Sequence, residues 1–225
     1  MTRPETTGAR ARGGTLRAGL SKERILEAAV ALVDAEGLEA LSMRRLGKEL
    51  GVEAMSLYNH VPNKAALLDG LVDHVAAQVP IEPHQTDWAD QIRMMAHSYR
   101  SVALKHHHIV PLLSKRPFTG LKQLEPVDYA FGMLRAAGFD DADALHAFRI
   151  LAAFVTGYVL AETGGSFGTG PIPEGDDPID PDELGLVDFP HIATLVPHMV
   201  ACDFDAEFEF GLDTIIEGLK AKLKS

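Results

Sequence analysis

Apolar residues recur at three- and four-residue spacing along almost the whole chain, and no segment alternates with period two. That periodicity commits the chain to helices packed on helices, an all-α fold, because strands would need every second side chain to face a core. The longest apolar stretch, Ile150 to Ala161, includes Thr156, Gly157 and Tyr158. At about twelve residues it is too short to span a bilayer and reads as a buried helix.

Helix punctuation divides the chain further. Ser21 caps a helix with Ile25, Ala28, Ala29, Leu32 and Val33 on one face, ended by Gly37. Ser42 caps a short helix through Leu50, ended by Gly51; a second short helix covers Ala54 to His60, broken by Pro62-Asn63. Asn63 caps a fourth, Lys64 to about Val79, with Leu67, Leu68, Leu71, Val72 and Val75 as its apolar face. Further helical runs follow at Asp87–His106, Ile109–Leu113, Pro126–Ala137, Ala142–Thr163, Phe189–Ala201 with a bend at Pro197, and Asp205–Leu223. Residues 164–188 are rich in Gly, Pro and Asp, the composition of a mobile loop. The expected organisation is an arm at 1–20, a three-helix head with its connecting helix at 21–79, and a helical domain at 80–225.

Two short helices joined at Gly51 form a helix-turn-helix pattern, in which the second helix enters a DNA major groove while the first crosses the backbone. The second carries Ser56, Tyr58, Asn59 and His60 among apolar Val52 and Leu57, a mixture suited to phosphates and base edges. A net charge of −11 speaks against nucleic acid until it is resolved along the chain. Residues 1–79 hold ten basic and ten acidic residues, leaving eleven basic against twenty-two acidic in 80–225. The excess negative charge is confined to the second domain, while the first twenty residues, with Arg3, Arg10, Arg12 and Arg17, are basic enough to lie along phosphates. Those residues lack the apolar core of a secretory signal, so a cytoplasmic protein with no membrane partner is expected.

The runs Ser21-Lys22-Glu23-Arg24-Ile25-Leu26, Gly37 through Leu46, Leu50-Gly51-Val52, Ser56-Leu57-Tyr58, His60-Val61 and Asn63 through Asp69 resemble the TetR family of repressors over about 60 consecutive residues. The resemblance implies a homodimer that binds a palindromic operator in double-stranded DNA and leaves it when a small-molecule effector occupies the second domain. It implies base or phosphate contacts for Arg44 and Ser56, backbone contacts for Tyr58 and His60, and a phosphate at Lys64, where a helix N-terminus adds its own attraction. Ala54, Met55 and Asn59 depart from the tetracycline repressors, so the base preference at Asn59 is this chain's own.

The second domain is more loosely similar to the tetracycline repressors through Asp87-Trp88, Arg116-Pro117, Gly138-Phe139 and Phe154–Leu160. Aligned on Trp88 and Arg116-Pro117, Met95 and Leu112 replace polar drug- and metal-binding side chains, and aligned on the fourth helix Pro80 replaces another, which disfavours a magnesium-tetracycline ligand and points to a greasier pocket with no cofactor and no metal. Its candidate walls are Met95, Tyr99, Leu112, Phe118, Phe131, Phe148 and Tyr158, with Arg149 or His146 as a polar anchor. The stripe Phe208, Leu212, Ile215, Leu219 on the last helix is the candidate dimer interface, with Gly157, Gly211 and Gly218 permitting close approach.

Other classes have weaker handles. The three histidines 106–108 point about 100° apart on a helix and cannot converge on one ion. Gly164-Gly165-Ser166-Phe167-Gly168 matches a hydrolase elbow with Ser166 as nucleophile, but that motif needs a preceding strand. A non-enzymatic regulator is expected, and the sequence does not separate a repressor from an activator or from a regulator without a small ligand. The single cysteine, Cys202, reads as a small buried hydrophobe.

Overall fold

The computed structural model describes residues 19–80, 86–113, 121–164, 188–200 and 203–223, and every regular element among them is helical. The first four helices are α1 (Lys22–Glu36), α2 (Met43–Leu50), α3 (Ala54–Leu57) and α4 (Lys64–Ala76). Their starts follow from side-chain caps that satisfy otherwise orphaned backbone donors. Ser42 Oγ accepts from the Arg45 amide at 3.1 Å, and Asn63 Oδ1 from that of Ala66 at 2.8 Å. Gly51 ends α2 in the left-handed conformation at φ +67°, which a side chain there would disfavour.

The remaining helices are α5 (Trp88–Lys105), α6 (Val110–Leu113), α7 (Leu121–Ala136), α8 (Asp141–Gly164), α9 (Pro190–Val200) and α10 (Phe204–Leu223). Three boundaries differ from the sequence reading. The α-helical part of α3 ends at Leu57, after which Tyr58–His60 form turns in which the His60 amide bonds the Leu57 carbonyl at 3.0 Å. The fourth helix closes at Ala76 and finishes in turns through Val79. The seventh begins at Leu121 and runs through Pro126, which lies in its second turn and costs the helix one backbone hydrogen bond.

Two large cores, with a small third cluster of Ala103, Val110 and Val159, organise these helices. One gathers Ile25, Val33, Leu46, Leu57, Leu67 and Leu71 from α1–α4; the other gathers Ile92, Leu134, Val155, Phe208, Leu212 and Ile216 from α5, α7, α8 and α10. The sequence boundary at residue 80 does not separate them cleanly. Ile109 and Leu112, from the second domain, pack into the first core. Four apolar residues in a short turn cannot bury themselves, and α6 packs between α4 and α8, which supply that apolar surface.

Inside the second core Arg100 is buried and fastens three helices together. It forks onto Glu162 of α8 at 2.8 and 3.0 Å, reaches Asp205 of α10 at 2.6 Å, and lies 4.8 Å from the Phe208 ring centre. Burial works against its charge, but these two carboxylates more than compensate and hold its pKa above the ordinary value.

Candidate functional site

The head is built around Gly47. A Cβ there would lie 2.9 Å from the Val52 carbonyl oxygen and 3.2 Å from the Ala54 nitrogen, so only glycine lets the turn pass this close to α2. The Val52 amide closes the turn onto the Gly47 carbonyl at 2.9 Å, and Leu57 and Val61 anchor the short helix into the core. What remains outward is Met55 (74% exposed), Tyr58 (41%), Asn59 and His60, with Ser56 half-buried. Arg44 and Lys64 are exposed. The structure therefore gathers Ser56, Tyr58, Asn59 and His60 on one short segment. Arg45, next to Arg44, instead pairs with Glu36 and Glu49.

The second site is a cavity of about 250 Å³ where four helices meet. The fifth helix contributes Ile92, Met95, Ala96 and Tyr99, and α8 contributes Phe148, Leu151, Val155 and Thr156. The seventh supplies Val127, Ala130 and Met133. The fourth supplies Val72, Val75 and Ala76, and the turn after it Val79, so the helix that leaves the head also forms a wall of the cavity.

Of the candidate walls, Met95, Tyr99 and Phe148 line this cavity. The others are placed elsewhere. Leu112 sits in the first core. Phe131 packs on Phe148, ring centres 4.9 Å apart, without lining the space. Tyr158 turns to α10, where its hydroxyl donates to the Phe204 carbonyl at 2.8 Å. Arg149 and His146 are exposed, since their positions on α8 face away from the core. Phe118 lies outside the described residues. Sequence reasoning missed the α4 wall, although Val72, Val75 and Val79 share one helical face. It also missed Thr156, whose polarity reads only as an interruption of an apolar run.

The last helix requires a correction. Phe208, Leu212 and Leu219 are buried within their own protomer and Ile215 packs against the same core, so this stripe is internal. Gly211 serves that packing too, because a Cβ there would lie 2.5 Å from the Phe154 ring. Gly157 and Gly218 face open space.

The histidine run also divides by direction. His106 is 2% exposed, with Nδ1 2.8 Å from Asp34 Oδ2 of α1 and Nε2 3.1 Å from Gln78 Oε1 beyond α4. His107 turns back to the Leu104 carbonyl. His106 thus ties the head, the end of the connecting helix and the second domain at one point. Polar satisfaction is already incomplete there, since among the described residues Asp34 Oδ1 is buried without a partner. His106→Ala would leave Asp34 and Gln78 facing a void. We expect a loss of about 2–3 kcal/mol, seen as a fall in Tm of about 4–12 °C by circular dichroism; an unchanged Tm would show that the tie contributes nothing.

Ser166 lies outside the described residues, and what precedes it is the 24-residue helix α8 rather than the strand its elbow would require.

Comparison with known proteins accords with this geometry. Residues 25–71 match the bacterial regulatory proteins of the tetR family, and residues 79–223 match the tetracyclin repressor-like C-terminal domain. The HTH-type transcriptional repressor DrrR1 of Streptomyces coeruleorubidus is 30% identical over 215 residues, covering 89% of this chain and 77% of that protein. The class A tetracycline repressor of Escherichia coli is 29% identical over 204 residues, covering 89% and 90%. ActR of Streptomyces coelicolor, solved in complex with actinorhodin, superposes with a TM-score of 0.77 at 33% identity, covering 92% of this chain and 100% of that one. The chain belongs to the TetR family of bacterial regulatory proteins, as a ligand-responsive DNA-binding repressor.

Proposed function

We propose that the protein acts in the cytoplasm as a homodimer that occupies a palindromic operator and leaves it when a mainly apolar effector fills the cavity between α4, α5, α7 and α8. The observation that carries this reading is the shared wall. Val72, Val75 and Ala76 of α4 face the cavity, with Val79 in the turn beyond it, while Leu67 and Leu71 of the same helix are buried in the head. An effector pressing on one end of a rigid helix shifts the other, and with it the recognition segment. The relatives support a small-molecule effector: the Escherichia coli protein is named for tetracycline, and ActR is solved with actinorhodin.

Dimerisation rests on the outer faces of α8 and α10. Ile150, Ala153 and Gly157 form one exposed small-residue and apolar stripe, and Phe210, Thr214 and Gly218 form another. Ile150 is 52% exposed and Phe210 76%, more apolar surface than a lone protomer covers. For DNA we assign Arg44, Ser56 and Asn59 to base edges and Tyr58, His60 and Lys64 to the backbone.

Two recognition segments must sit about 34 Å apart to enter successive major grooves. An effector that prefers another spacing weakens operator binding by its differential affinity, typically about 5- to 150-fold. A spin label at Glu53→Cys in each protomer, with Cys202 replaced by serine, reads that spacing. Probes are chosen by thermal shift, starting from actinorhodin and tetracycline. The expected result is a changed inter-label distance with a probe that releases the operator; release at an unchanged distance and spread would overturn the lever.

A further inference from the structure

Among the described residues of the cavity wall, two carry side-chain oxygens: Tyr99 on α5 and Thr156 on α8. Their hydroxyls lie 3.2 Å apart. One proton is spent between them, which leaves the other proton and unshared lone pairs for a third group. Burial raises the Tyr99 pKa and the Thr156 contact offsets this only in part, so the phenol keeps its proton at neutral pH. The surrounding wall is apolar and soft, with the thioethers of Met95 and Met133 and the ring of Phe148, a lining that favours aromatic surface. A polar pair in such a wall contributes little to folding, but it fixes the orientation of whatever occupies the space.

We infer that Tyr99 and Thr156 together form the polar anchor of the effector site, which takes an aromatic body of two or three fused rings bearing one hydroxyl or carbonyl oxygen docked on this pair. The inference rests on the reading of the cavity as the effector site and specifies its chemistry. It places the oxygen at the α5–α8 side and the apolar edge toward α4, so the bound molecule is oriented with its bulk against the helix that moves the head.

The test uses isothermal titration calorimetry of the full-length protein with 1-naphthol and naphthalene. The hydroxyl makes 1-naphthol the better hydrated of the two, so a purely apolar wall ranks naphthalene as the tighter ligand. With the anchor the order reverses, and 1-naphthol is expected to bind about ten-fold tighter. In the Tyr99→Phe/Thr156→Val variant, which conserves shape, that preference should vanish while naphthalene affinity stays within about two-fold, showing that the cavity itself survives. Naphthalene binding as tightly as 1-naphthol to the unmodified protein, or a preference that persists in the double variant, overturns the anchor and leaves the cavity as an effector site. Failure of both probes to bind the unmodified protein counts against the cavity reading and removes the anchor with it.

Discussion

Phe210→Asp is expected to give a folded, fully helical monomer, whereas Phe208→Ala, two positions away, is expected to cost about 3–5 kcal/mol of stability. The contrast follows from opposite faces of α10. Phe208 is fully buried, its ring centre 5.5 Å from Phe154 and 5.3 Å from Tyr158, with the Arg100 guanidinium 4.8 Å away. Truncation there opens a cavity under a buried cation. Phe210 is 76% exposed and joins Thr214 and Gly218 on the outer stripe, so a charge at this position is solvated in the monomer and would be buried only in the proposed dimer. A palindromic site needs two heads at once, and losing the second converts a bivalent contact to a monovalent one. Operator affinity should fall at least about 100-fold. Sedimentation equilibrium reads the assembly and circular dichroism the fold. A Phe210→Asp protein that remains dimeric would show that α10 pairs by another face or not at all.

This pair of phenylalanines also marks how far periodicity could carry the reading. Helix starts were legible because Ser21, Ser42 and Asn63 are short acceptors placed just before apolar runs, and local hydrogen bonding settles such positions without tertiary help. The head was legible for a related reason: Gly51 and the Leu57 anchor lie within one short stretch of chain. The direction of an apolar stripe was not legible. Phe208, Leu212 and Leu219 repeat as a dimer seam would, yet they meet α5 and α8 of the same chain, and spacing alone carries no information on which partner a stripe meets. Tyr158 and Thr156 fail in the same way. Two residues apart on α8, they point to different sides, so the tyrosine expected in the cavity bonds α10 and the threonine lines the cavity instead. His106 was hidden by its neighbours, because three identical side chains in a row do not reveal which one faces inward.

Tyr58→Ala combined with Lys64→Ala is expected to weaken DNA binding by about 10²- to 10³-fold on operator and random sequence alike, taking roughly 1 kcal/mol for each of the four phosphate-directed side chains removed per dimer. Tyr58 leaves the turn after α3 exposed, and Lys64 opens α4, where Asn63 holds the first turn in place through the Ala66 amide. Neither supports the core, so the variant should keep the parent's Tm. Because each lysine releases a condensed counterion, losing two per dimer should reduce the slope of log affinity against log salt by about 1.8. Arg44→Ala should behave differently, changing the ranking of sequences and costing about 1–3 kcal/mol on the preferred site, since base contacts specify while phosphate contacts position. Arg45→Ala is the internal control. Its guanidinium is taken up by Glu36 and Glu49 on the surface, pairs that contribute little to stability, so its removal should move operator affinity by less than about three-fold. Fluorescence anisotropy across a salt series separates these outcomes. An unchanged salt slope in the Tyr58/Lys64 variant, or an Arg45 effect larger than that of Arg44, would mean that a different face of the head meets the duplex.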